Sequence, residues 1–210
     1  MIEVKNLFKS FSGNLILRDF SFVFKSGEIT LIKGNNGTGK STLLNIISCV
    51  VKPDFGEIYF SNQKIGFYDY KYRKQVGYLL DKHFYLEKLN ATEFLEFLLE
   101  SYRIYDKNKK DKIQYYLSLF NLPPDVLIEN FSKGMKKKMS IISALIHDPM
   151  YIIMDEPIMS LDSDTIETFT NLISEKRKNK CTILITSPTE INCLGADTII
   201  ELTHNYTGYE

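Results

Sequence analysis

The segment Gly34-Asn35-Asn36-Gly37-Thr38-Gly39-Lys40-Ser41-Thr42 packs three glycines, a lysine and two neighbouring hydroxyls into nine residues. Gly34, Gly37 and Gly39 allow tight turns that bring successive backbone N–H groups onto one anion. The spacing from Gly34 to Gly39-Lys40-Ser41 suits a nucleoside triphosphate. Lys40 would reach the β- and γ-phosphates, and the Ser41 hydroxyl would ligate Mg²⁺. Asn35, Asn36, Thr38 and Thr42 complete the cradle, and a helix beginning at Lys40 would add the positive potential of its N-terminus.

A second group of chemical residues lies at Ile152-Ile153-Met154-Asp155-Glu156-Pro157, where an apolar run ends in two carboxylates. Such a pair is also a common way to cap a helix. In a chain that carries a phosphate loop, two distinct jobs are open to it. Asp155 would hold Mg²⁺ through its water shell, and Glu156 would orient or deprotonate the water that attacks the γ-phosphate.

The elements needed to position these groups are legible in the spacing of apolar residues. IEVKNL, LRDFSFVF, EITLIKG and EIYF read as strands, and Lys40 to Val51 reads as a helix. From about Tyr85 to Pro149 the pattern becomes helical. Asn90 and Glu93 form a capping-box start, and a second helix through Ile113, Tyr116, Leu117 and Phe120 stops before Pro123-Pro124. The strand YIIM, a helix through Ile166, Phe169, Leu172 and Ile173, and the strands CTILIT and DTIIEL follow. Alternating strands and helices imply a parallel sheet. The expected fold is therefore α/β: a phosphate-loop core with a mixed or parallel sheet, an antiparallel β lobe and an inserted helical lobe over about 85–149. All of it would form one unit over residues 1–210.

Composition narrows the function. Lys and Arg number 26 and Asp and Glu number 26, so no global field favours nucleic acid or an anionic membrane. The lysines between Lys107 and Lys112 read as a solvated helix start rather than a phosphate site. The first residues lack the apolar stretch of a secretion signal, and no apolar run approaches the roughly 20 residues that span a bilayer. Cys49, Cys181 and Cys193 are too scattered for a disulfide framework or a metal knot, fit a reducing cytosol, and read as buried packing residues.

Two further segments, Phe131-Ser132-Lys133-Gly134-Met135 and Met159-Ser160-Leu161-Asp162, complete a resemblance that runs over essentially the whole chain. The sequence resembles the nucleotide-binding subunits of ATP-binding cassette transporters. The first segment looks like the family's signature, and the second like the short loop after its catalytic glutamate. The resemblance implies that Mg-ATP is bound and hydrolysed by a cytoplasmic subunit peripheral to the inner face of the membrane. That subunit pairs as a homodimer or heterodimer and drives a separate integral membrane transport subunit, with no nucleic-acid partner. Ser132 and Gly134 would then cap the partner's ATP. Ser132 is also a good ordinary helix cap. Phe11 occupies the place of an aromatic under the adenine, though a lone Phe between strands is commonly core. Ser132 to Met135 and the run Tyr78 to Leu99 look most like exporters of drugs, antimicrobial peptides or haem-like cargo.

Two positions depart from the pattern. Gly77-Tyr78-Leu79-Leu80-Asp81 resembles a loop that normally ends in glutamine. Asp81 could ligate Mg²⁺ as a carboxylate or be a solvated turn residue. In Ile183-Leu184-Ile185-Thr186-Ser187-Pro188 the proline stands where the family presents a histidine to the γ-phosphate. Proline has no N–H to offer, so turnover should be slow. An alternative function follows, a degenerate regulatory subunit that binds ATP and pairs with an active partner. His147 lies in the wrong segment to substitute and reads as a helix-end residue.

Overall fold

The computed structural model describes residues 1–67, 72–79, 85–104 and 108–203. In chain order these form β1 (Ile2–Phe11), β2 (Asn14–Phe24), β3 (Ile29–Lys33), α1 (Lys40–Ile47), β4 (Phe55–Phe60), β5 (Gln63–Lys64) and β6 (Val76–Leu79). Then come α2 (Ala91–Ser101), α3 (Lys109–Leu119), α4 (Lys133–Leu145), β7 (Tyr151–Met154), α5 (Ser163–Lys178), β8 (Thr182–Ser187) and β9 (Thr198–Glu201). Among the described residues no helix is long and apolar enough to cross a membrane.

Two sheets organise the chain. One is antiparallel in the order β2-β1-β4-β5, and the other runs β6-β7-β8-β3-β9 with every pairing parallel. β1 turns into β2 through Ser12-Gly13, both at positive φ, the conformation that suits a two-residue hairpin. β7 and β8 are buried along their whole length, as a sheet covered on both faces requires. Alternation then divides them between two cores. Ile152, Met154, Ile183 and Ile185 join a core shared with α2, α3, α4 and α5. Ile153 and Leu184 join one shared with α1 and the antiparallel sheet.

Local signals hold where they rest on neighbouring residues. The Asn90 side chain accepts from Glu93 N–H, and the Glu93 carboxylate accepts from Asn90 N–H, each at 2.9 Å. Three expectations change. α1 ends at Ile47 rather than Val51, because Cys49 turns left-handed at φ 54 and closes the helix early. Gly77 to Leu79, read from sequence as the start of a loop, form the edge strand β6. A Cβ at Gly77 would stand 1.9 Å from the Ala144 carbonyl oxygen, so only glycine lets α4 press onto this strand. Cys49 and Cys181 are buried, but Cys193 is exposed, since Ile191 and Leu194 take the inward positions of its turn.

His147, just past α4, is buried. Its ring stacks on Tyr102 with centroids 4.2 Å apart, and Nε2 donates to the Val76 carbonyl at 3.2 Å. Burial pushes its pKa down to about 4. Between that value and the ordinary 6.5 the unfolded chain binds a proton that the folded chain refuses, so stability falls as pH drops through this window. The expected loss from pH 7.5 to 4.5 is about 2–3 kcal/mol. It should be read from urea denaturation at each pH. His147→Phe, which keeps the ring stack and removes the titrating group, should flatten that slope.

Candidate functional site

The phosphate loop begins where β3 leaves the parallel sheet. Gly37 at φ 84 and Gly39 at φ 98 take left-handed turns, whereas Gly34 is needed for room, a Cβ there standing 2.4 Å from the Leu202 carbonyl oxygen. Thr38 Oγ1 donates to the Asn35 carbonyl at 2.9 Å and closes the turn. Lys40 opens α1 and is buried. Its Nζ donates to the carbonyls of Gly34 at 2.7 Å and Asn35 at 3.1 Å, and lies 3.8 Å from Glu156 Oε1. This cation is held among the loop's own carbonyls, a short side-chain rotation from any anion the loop receives.

The carboxylates leave the same end of the sheet on β7. Asp155 N–H donates to the Leu79 carbonyl at 2.7 Å, so β6 steadies the strand end. Thr186, next along β8 after Ile185, donates its hydroxyl to Asp155 Oδ1 and accepts from Glu156 N–H at 3.0 Å. Glu156 itself is left-handed at φ 45, sparsely populated for a residue with a side chain.

A cleft of about 850 Å³ gathers Asn36, Gly37, Gly39, Lys40, Ser41, Thr42, Asp155 and Glu156, together with Ile16, Lys133, Lys137, Met159 and Ser160. Gly34, Asn35 and Thr38 form the backing of the loop rather than the cleft wall. Phe11, Ser132 and Gly134 stand outside the wall. Phe11 is 46% exposed beside the hairpin turn, with Lys9 Nζ 5.0 Å from its ring centre. Ser132 caps α4, its hydroxyl accepting from Met135 N–H at 3.2 Å. A Cβ at Gly134 would meet only the Ser132 hydroxyl oxygen, at 3.9 Å, so the fold does not need glycine there. Asp81 lies outside the described residues.

Sequence reasoning missed Thr186, Ile16, Lys133 and Lys137. The spacing of Lys133 and Lys137, four apart on α4, was the only available sign that they share a face. Asp162 caps α5, and the Thr165 hydroxyl and N–H hold its carboxyl below the usual range. A second cavity of about 440 Å³ shares Glu156, Met159 and Ser160 with the first and extends to Thr186 and Pro188.

The donor set fits Mg²⁺. The Ser41 hydroxyl and the Asp155 carboxylate are hard oxygen donors on one cleft wall, and Mg²⁺ typically takes one or two protein oxygens, with phosphate and water supplying the rest.

Residues 17–159 match the protein family described as ABC transporter. The chain is 35% identical over 201 residues to the phosphonates import ATP-binding protein PhnC of Treponema denticola, covering 86% of this chain and 76% of that protein. It is 26% identical over 189 residues to the SkfA peptide export ATP-binding protein SkfE of Bacillus subtilis, covering 89% and 78%. Among solved structures, a dimeric ATP-binding cassette in a post-hydrolysis state bound to ADP and Pi superposes with a TM-score of 0.85 at 28% identity, covering 97% of this chain and 95% of that one.

Replacing Lys40 removes the one buried cation of the cleft. Lys40→Ala is expected to weaken binding of a fluorescent nucleoside triphosphate by about ten- to a hundredfold, the value of one or two charge-assisted hydrogen bonds. Isothermal titration of both proteins checks it.

Proposed function

The chain belongs to the ABC transporter family as an ATP-binding subunit, and we propose that it binds Mg-ATP as one half of a cassette dimer that drives export through a separate integral membrane subunit. The observation that carries this reading is the convergence of Lys40, Ser41, Asp155 and Glu156 on one cleft. Lys40 turns from its loop carbonyls to the β- and γ-phosphates, and in doing so releases Glu156, now 3.8 Å away, to orient the attacking water. Ser41 and Asp155 hold Mg²⁺, with Asp81 as a further candidate. When bound, the ion neutralises charge that builds on the phosphates. Phe11 offers the ring face opposite Lys9 to the adenine.

Dimerisation accounts for Ser132 and Gly134, which stand outside the wall. Ser132 and Gly134 lie at the start of α4, whose free N–H groups suit a γ-phosphate, and the space around Gly134 leaves room for a nucleotide held by a second cassette. The relative solved with ADP and Pi is dimeric. The second cassette is either the same chain or a paralogue. We place the subunit peripherally on the cytoplasmic face of the membrane because membership of the ABC transporter family implies it. Export rests on the likeness of Ser132 to Met135 and of Tyr78 to Leu99 to exporter subunits. The 26 acidic and 26 basic residues argue against a nucleic-acid partner.

Pro188 favours a second reading, in which the subunit acts mainly as an ATP-gated clamp. It sits at the end of β8 beside Glu156 and offers no donor to a γ-phosphate. Loss of one positioned donor lowers rate by about 10²–10⁴.

Phosphate release by the purified protein distinguishes the readings. Tight Mg-ATP binding with slow release is expected, with Glu156→Gln lowering release by about a hundredfold or more. Pro188→His should raise it by about tenfold or more as the missing donor returns. Rapid release by the unaltered chain would remove the clamp reading, and failure to bind ATP would remove both.

A further inference from the structure

The parallel ladder between β7 and β8 ends at Met154 opposite Ile185. The next residue on each strand, Asp155 and Thr186, therefore meet where the sheet opens onto the cleft. Thr186 is 0% exposed and Asp155 6%, so the hydroxyl must find its hydrogen bonds within the protein. One hydroxyl serves both carboxylate residues. Its proton goes to Asp155 Oδ1, and its lone pair accepts from Glu156 N–H at 3.0 Å.

We propose that Thr186 is the positioning residue of this centre, fixing the Asp155 carboxylate for the metal and the Glu156 backbone for the attacking water. The proposal rests on the roles given above to Asp155 and Glu156. With Oδ1 engaged by the hydroxyl, the carboxylate is held in one rotamer and Oδ2 remains for the water shell of Mg²⁺. The bond from Glu156 N–H secures a left-handed backbone at φ 45, a conformation that persists only where the surroundings hold it. That kink turns the Glu156 side chain toward Lys40 in the cleft.

Position in the chain adds a second role. Thr186 is two residues before Pro188, which lacks any donor to the nucleotide. The hydroxyl links β8 directly to the Asp155 carboxylate and the Glu156 backbone. A shift of β8 passes to the metal ligand through this link.

The test uses the full chain and reads Mg²⁺ dependence of nucleotide binding rather than turnover alone. Binding of a fluorescent ATP analogue is followed against Mg²⁺ for the unaltered protein, Thr186→Val and Thr186→Ser, and repeated in excess EDTA. Thr186→Val keeps the shape of the buried side chain and removes the hydroxyl. It is expected to raise the Mg²⁺ midpoint by about tenfold or more, the usual effect of losing a partner that orients a metal ligand, and to change metal-free binding by less than about twofold. Thr186→Ser keeps the hydroxyl and should stay within about threefold of the unaltered midpoint. A merely structural threonine would lower the melting temperature in Thr186→Val and leave the Mg²⁺ midpoint where it was, which overturns the proposal. Thr186→Ala is read by the same criteria if Thr186→Val does not fold. Unaltered protein that binds no ATP overturns the functional reading instead, so the two failures are distinct.

Discussion

Parallel pairing of β3, β8 and β7 brings the phosphate loop, Asp155, Glu156 and Thr186 to one edge of one sheet. The register sets Ile29 beside Ile183 and Ile152 beside Ile183, so β3 and β8 end level at Lys33 and Ser187 and β7 ends opposite Ile185, at Met154, on the same edge. Parallel α/β sheets bind ligands beyond the carboxyl ends of their strands, because only there do the connecting loops converge. Slippage by one residue would exchange the two cores, sending Ile152 and Met154 to the side of Ile153. It would also part Asp155 from Thr186. Burial of both faces therefore protects the site as well as the fold.

Charge inside the cleft ties the loop to the strand ends. Lys40 and Asp155 are buried, and a buried charge is tolerated only when its hydrogen bonds are made. Lys40 finds carbonyls of Gly34 and Asn35 and the nearby Glu156 carboxylate. Asp155 finds the Thr186 hydroxyl. Lys40 joins the loop to Glu156, and Thr186 joins Glu156 to Asp155, so the loop and the two strand-end carboxylate residues share one connected set of polar contacts.

The helical segments are joined to this edge through close packing rather than charge. α4 presses onto β6 at Gly77, and the end of α4 delivers His147 onto Tyr102 and the Val76 carbonyl. α4 is thereby packed directly on β6, whose last carbonyl, on Leu79, accepts from Asp155 N–H. A continuous path of packing and hydrogen bonding therefore links α4, which opens at Ser132 and Gly134, to Asp155.

What could be read from the order of residues was whatever depends on near neighbours. The phosphate loop, the Asn90 and Glu93 box, the Ser132 cap and the alternation in β7 and β8 all rest on residues a few positions apart, and local backbone geometry is enough to produce them. Phe11, Ser132 and Gly134 were recognisable as types, yet the distance of each from the cleft depends on the turn of a hairpin and the placement of a helix. Thr186 meets Asp155 across 31 residues, and Gly77 meets Ala144 across a helix–strand contact. Exposure of Cys193 is equally remote in origin, since it follows from Ile191 and Leu194 claiming the core. Such relations carry no short-range signal, because they are set by which faces pack together once the whole sheet has formed.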